Sequence, residues 1–394
     1  SFVPIPKIDD DGDGIPDRDG NVLLSDEYNN MVADPNCISI NQIFPGGYTP
    51  SFGGKIKDRS FAIGIKGEAF DGWQYDVSYV IGGNKASFSL ANSVNPSLCV
   101  GKSSYTAENG QVVELEQPAD NFFNTGAYVQ NESTFNLDFV KAVDIGLANL
   151  VNVAVGFESR SESFTIIEGD LESWVAGPYS SQGFSIGSHG FKGFGPESAG
   201  KNSRDNIATY IDLETFLNDD LLLGAAVRYE DYSTFGDTLD YKLTAQYQLN
   251  DEISVRGSHS TGFRAPTVGQ ASVVNTQTTI VNGELVQSFL APPTNPLSAF
   301  YGGKELEPEE SVSYAAGLVF DNDEILITVD YFNIEVTGRL AQSSQIDVLE
   351  EDYDALTAQG VQSPELISQV TYFANDFDTS TQGIDLVLNY ETTL

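Results

Sequence analysis

Basic side chains are scarce in this sequence: 19 Lys and Arg stand against 57 Asp and Glu, a formal charge of −38 over 394 residues. That excludes nucleic acid as a partner, because phosphate neutralisation needs clustered Lys and Arg. It also excludes an anionic inner-leaflet surface. Such acidity suits solubility in a saline medium, or loops whose carboxylates bind cations. No apolar run reaches the roughly 18 residues of a membrane-spanning helix. No positively charged start precedes an apolar core, so no signal peptide is visible. The sequence opens at Ser1 inside a loop-like stretch, and a fragment without its natural N-terminus is expected. Histidine is limited to His189 and His259, far apart in the chain. No serine pairs with a base near a glycine elbow, and nothing places two of the many carboxylates in one cleft, so no enzyme is read here. The two cysteines, Cys37 and Cys99, both fall in loop-like stretches. In an exported protein they suggest one disulfide, or else two unrelated thiols.

What is present is alternation. Asn206–Leu217, Leu221–Tyr232, Leu239–Leu249 and Ile253–Phe263 each alternate apolar and polar residues with period two. In the third run Leu239, Tyr241, Leu243, Ala245, Tyr247 and Leu249 point one way, and Asp240, Lys242, Thr244, Gln246 and Gln248 the other. Further strands read at 49–70, 73–91, 125–140, 150–164, 307–320, 325–338 and 370–390, about eleven in all. Short turns near Asp71, Lys141–Asn149, Asn218, Asn250 and Asp321 alternate with long connections, Ser233–Asp237 excepted. The connections 92–124, 165–205, 264–306 and 339–369 read as loop, with one short helix around Ile346–Ala358. Long strands with one greasy face and segregated loop lengths suit an antiparallel transmembrane β-barrel: long extracellular loops, short periplasmic turns, a polar interior. Arg228, Glu230, Lys242, Gln246, Arg256 and Ser258 are then expected to face the lumen. Phe191, Phe194, Phe300 and Tyr301, in long connections, are candidate ligand contacts, with packing between loops as their other role.

Residues 1–47 read as a loop region and 48–394 as barrel. Within the first lie Asp9, Asp11, Asp13, Asp17 and Asp19. Alternating carboxylates with Gly14 match the front of a calcium loop, although Gly20 stands where an EF-hand places its closing Glu. The run is more similar to thrombospondin type 3 repeats. Calcium is the one ion it suits, and no cofactor is otherwise implied; a solvated acidic turn is the other reading.

Several stretches taken in order resemble one family. Ser258-His259-Ser260-Thr261-Gly262-Phe263-Arg264-Ala265-Pro266-Thr267 is similar to the signature ending a barrel strand in TonB-dependent outer-membrane receptors. Leu306-Glu307-Pro308-Glu309-Glu310-Ser311, with Tyr314 and Gly317, looks like the opening of the next strand. Phe44–Pro50, Arg228–Tyr232, Val329–Ile334 and Thr381–Asp385 also match. The resemblance implies a barrel of about 22 strands around an N-terminal plug. It implies engagement of TonB and energy-coupled uptake of a ferric siderophore, cobalamin or an oligosaccharide across the cell outer membrane, in contact with its lipid. About half such a barrel is expected here, without plug, TonB-contacting segment or C-terminal strands. A secreted calcium-dependent binding or adhesion module and a carbohydrate-active enzyme on a β scaffold stay open beside it.

Overall fold

The computed structural model describes residues 7–8, 18–19, 40–44, 47–98, 103–106, 110–180, 184–281, 284–322, 324–361 and 364–391. Eleven long strands form one sheet: β1 (Ser51–Glu68), β2 (Gln74–Ala91), β3 (Phe123–Val143), β4 (Val151–Ile167), β5 (Gly200–Asn218), β6 (Leu221–Tyr232), β7 (Gly236–Asn250), β8 (Ile253–Arg264), β9 (Glu309–Asp321), β10 (Ile325–Gln342) and β11 (Phe373–Tyr390). Each lies beside its neighbours in sequence, so the sheet is a pure meander with β1 and β11 at its edges among the described residues. Every second connection returns to the same end of a meander. One end carries the short segments 69–73, 144–150, 219–220, 251–252 and 322–324; the other carries 92–122, 168–199, 233–235, 265–308 and 343–372. The expected segregation of loop length holds, including its one exception.

Three of the five short turns share a device. Asn218 Oδ1 accepts from the backbone N–H groups of Asp220 and Leu221, at 3.0 and 2.9 Å. Asn250 does the same for Glu252 and Ile253 at 3.0 Å, and Asn322 for Glu324 and Ile325 at 3.0 and 2.8 Å. An Asn side chain that satisfies two backbone donors closes a tight turn without further partners.

Register carries the greasy face from strand to strand. Ala225 sits opposite Leu243, Leu243 opposite His259, and His259 opposite Tyr314. Tyr247, Val255, Leu318, Val329 and Leu386 form a second row. These side chains are open: Leu243 is 52%, Val255 37% and Leu386 71% exposed. None is buried in a dry interior, the arrangement a soluble sandwich would require. Among the described residues no helix is long and apolar enough to cross a membrane.

The chain divides into two compact units. One comprises residues 1–54, 88–126 and 168–197, the other 55–87, 127–167 and 198–394. In the first, Leu98, Leu115 and Val175 form a small core packed by Leu171 and Trp174. The buried Asn95 amide donates to Glu172 O and Val175 O, both at 2.9 Å, and its oxygen accepts from Ser97. Phe191 and Phe194, expected as ligand contacts, are only 5% and 2% exposed and pack with Phe88 at 5.9 and 6.2 Å. Burial removes them from any ligand's reach, which leaves packing as their role. His189 is hydrogen-bonded through Nδ1 to the Tyr48 hydroxyl and through Nε2 to Ser185 Oγ at 2.7 Å.

In the second unit, stretches read as loop are folded. Strands Asn275–Val281, Glu284–Leu290, Gln369–Thr371 and Ile346–Asp347 make a four-stranded sheet, with Ser288–Leu290 running parallel to Gln369–Thr371. It packs with helices Pro296–Phe300 and Tyr353–Ala358 around Leu297, Val348, Leu356 and Val370. Only the second part of the expected helix at 346–358 is helical, because Ile346–Asp347 pairs as strand.

If the sheet is set in a bilayer, as the sequence resemblance implies, Leu243→Arg should cost about 2–4 kcal/mol and Thr244→Arg far less, measured by denaturant titration in bilayers. Equal costs would contradict the assignment of faces. Burial lowers the pKa of His189 below the ordinary imidazole value and raises Tyr48 to about 12. A depressed His pKa means that the fold favours the neutral ring. Its contribution is therefore complete above the unfolded value of about 6.5 and is lost as pH falls below that. Hydrogen-exchange protection factors of residues 184–195, corrected for the intrinsic pH dependence of exchange, should fall as pH drops from about 7 to about 5, and His189→Gln should flatten that dependence.

Candidate functional site

The polar face of the sheet carries a ladder of charges. Arg228 Nε donates to Glu230 Oε1 at 2.6 Å, and its Nη2 reaches Glu158 Oε2 at 3.4 Å. Glu230, only 7% exposed, accepts on its other oxygen from Asn206 Nδ2 and from the Tyr232 hydroxyl, both at 2.9 Å. Arg160 Nη2 lies 3.1 Å from Glu158 Oε1. Arg204, 7% exposed, donates through Nε and Nη2 to Glu162 Oε2 at 3.1 and 2.5 Å and through Nη1 to Pro266 O. Its guanidinium also lies over the rings of Tyr232 and Phe235, at 5.1 and 5.8 Å. Ions this close to leaving water are tolerable only when paired and hydrogen-bonded, so the ladder fixes geometry more than it adds net stability.

Two glycines make the cross-strand reach possible. Gly156 lies between Asp138 and Tyr210 in register; a Cβ there would stand 2.0 Å from the Tyr210 ring and 2.5 Å from Asp138 Oδ1. Its absence lets the Tyr210 hydroxyl cross β4 and donate to Asp138 at 2.7 Å. Gly317 does the same on β9: Arg256 on β8 spans it to bind Asp330 on β10 with Nε at 2.8 Å and Nη2 at 2.5 Å.

The six residues expected to share the polar side do share one face. Arg228 and Glu230 belong to the ladder, whereas Lys242, Gln246, Arg256 and Ser258 line one recess of about 330 Å³ with Thr244 and Asp330. A second recess of about 440 Å³ is lined by Asn84, Gln130, Glu132, Glu162 and Val268 among others. Sequence patterning alone does not single out Glu158, Arg160, Arg204 or Glu162. Charge at alternate positions marked the face, but their partners depend on register between distant strands.

Motif residues far apart in sequence meet. Arg264 Nη2 binds Glu309 Oε1 at 2.5 Å, and that oxygen also accepts from Leu340 N at 2.8 Å. After Pro266, Thr267 caps the helix Val268–Ser272 in a reciprocal capping box with Gln270. Phe300 and Tyr301 are half-buried against the core of the four-stranded sheet. The Tyr301 hydroxyl donates to Asp352 Oδ2 at 2.9 Å; burial first, then this bond, raises its pKa. Asp9, Asp11, Asp13, Asp17, Cys37 and Cys99 lie outside the described residues, and Asp19 is described only as the backbone partner of Lys7. Among the described residues no group of three or more His, Cys, Asp or Glu could hold a metal ion.

The family model of the TonB-dependent receptor-like β-barrel matches residues 6–394. Among solved structures, the siderophore receptor PirA from Acinetobacter baumannii is similar at 16% identity and a TM-score of 0.52, over 86% of this chain and 43% of that one. A double mutant of the ferric enterobactin receptor PfeA from Pseudomonas aeruginosa is similar at 13% identity and a TM-score of 0.54, over 84% and 41%. A PfeA mutant in complex with enterobactin is similar at 12% and 0.52, over 84% and 41%. The chain spans less than half the length of each of these receptors. No match was found among curated proteins. Likeness at such identities shows the fold. The family model covers nearly the whole sequence, and the meander with its polar and apolar faces is the architecture it describes, so the chain belongs to the TonB-dependent receptors and carries part of their β-barrel.

Proposed function

We propose that the receptor lies in the outer membrane and takes up a scarce, large solute, driven by a TonB complex acting through a plug domain supplied outside this chain. The long connections face outward and recognise the cargo; the short turns face the periplasm. One observation carries the reading: an apolar row runs through the register from β3 to β11, and paired ions on β3 to β6 and between β8 and β10 occupy the opposite face of the same sheet. Lipid suits the first face and a water-filled, plugged lumen the second. Arg228, Glu230, Lys242, Gln246, Arg256 and Ser258 are then lumen residues.

A ferric siderophore is the first cargo class to test, because the similar PirA structure is described as a siderophore receptor and PfeA as a ferric enterobactin receptor; cobalamin and oligosaccharides follow. Uptake of radiolabelled ferric siderophores by cells carrying the parent receptor should disappear when either the receptor or the TonB complex is removed. The pair Lys242→Glu and Arg256→Glu, in the 330 Å³ recess, should lower the uptake rate about tenfold at unchanged surface display, a difference of about 1.4 kcal/mol. Uptake of all three cargo classes that is indifferent to the TonB complex would sink the energy-coupled reading.

A further inference from the structure

Cations are rare here, and those on the ionic ladder already hold carboxylates. Three others gather on the opposite, apolar face. Along β1, Ile65, Ile63 and Phe61 are about 60% exposed, and the next side chains on that face are Arg59 and Lys57. On β2, Lys85 follows Tyr79, Ile81 and Gly83 in the same alternation. Lys57, Arg59, Gly83, Lys85, Val129 and Asn131 line a recess of about 320 Å³. Asp58 and Asn84 border it, with their side chains bonded to each other at 2.7 Å. Arg59 Nη2 donates to Asn131 Oδ1 at 3.1 Å. Among the described residues, none of the three cations is ion-paired.

Position decides what fits. Two residues of a strand tilted about 45° advance roughly 5 Å along the bilayer normal. Arg59 therefore stands about 5 Å and Lys57 about 10 Å beyond Phe61, the last apolar side chain of the row. The headgroup layer begins where the hydrocarbon ends and is about 5–8 Å deep, so Arg59 stands within it and Lys57 just beyond its outer rim, within reach of it through a flexible four-carbon stem. After Lys85, β2 runs on to Ala91 and the long connection 92–122, so the cluster lies at the long-connection end. Guanidinium and ammonium groups at that depth complement phosphate, and a planar Arg can take two of its oxygens at once.

We propose that Lys57, Arg59 and Lys85 bind the phosphate-bearing headgroup of an outer-leaflet lipid, with its acyl chains on the adjoining apolar row. The inference rests on the membrane orientation proposed above. Gly83 keeps the recess open: a Cβ there would stand 2.9 Å from both Arg59 Nε and Asn131 Oδ1.

The test uses the full-length receptor in nanodiscs, with lipid A as the probe and native mass spectrometry as the readout. Wild type should retain bound lipid A, and its dephosphorylated form should bind much more weakly. The triple change Lys57→Gln, Arg59→Gln and Lys85→Gln should weaken binding about a hundredfold, on the scale of about fivefold per surface cation. Gly83→Leu, which fills the recess at unchanged charge, should also weaken it, whereas Lys242→Gln on the other face should not. Equal binding of phosphorylated and dephosphorylated lipid, or an unaffected triple variant, would overturn the site. Full displacement by inorganic phosphate at the same concentration would overturn the lipid as occupant. A wild-type receptor that fails to insert at all would instead overturn the membrane reading on which this one rests.

Discussion

The strand ladder couples two constraints that cannot be met separately. Backbone N–H and C=O groups must pair, and pairing fixes which residues stand opposite; the side-chain period of two then decides which medium each residue meets. A slip of one residue between β7 and β8 would move Leu243 beside Ser258 or Ser260 and carry Lys242 toward the greasy row. Apart from bulges near the ends of three junctions, between Leu221 and Leu222, Gln248 and Asn250, and Val336 and Leu340, the observed register avoids this from β3 to β11. The short turns support it from one end, because Asn218, Asn250 and Asn322 each fix the point of reversal.

The polar face solves a different problem. Arg160, Arg204, Arg228 and four glutamates crowd a narrow strip at the long-connection end of β3 to β6, where unpaired ions would be costly. Each guanidinium has a carboxylate, and Glu230 also has an amide and a phenol. Toward the other strands the arrangement loosens: the Arg256 and Asp330 side chains are 45% and 24% exposed, and their pair is worth little in stability. The sheet thus grades from a stiff ionic lattice to an open recess where polar groups remain available to water.

Much of this was legible before the fold was known. Alternation at Leu239–Leu249 set both faces, and Asn-Asp pairs marked the reversals. The motif ending at Thr267 and the one opening at Leu306 were noticed separately; the Arg264–Glu309 pair shows why they occur together. The cap of the second unit was not legible. Its strands are short, and Gln369–Thr371 pairs in parallel with residues some eighty positions earlier, a contact no local pattern announces. Composition likewise could not say whether Phe191 and Phe194 would be presented or buried, since an aromatic side chain suits either place.

The shared cap joins two connections that leave different hairpins. Segment 265–308 supplies Leu297 and segment 343–372 supplies Val348, Leu356 and Val370 to one core, so neither half has a complete interior alone. Evolution cannot exchange one of these segments freely. A new sequence in the first must still fill the space left by the second, so these connections diversify only by paired change in both.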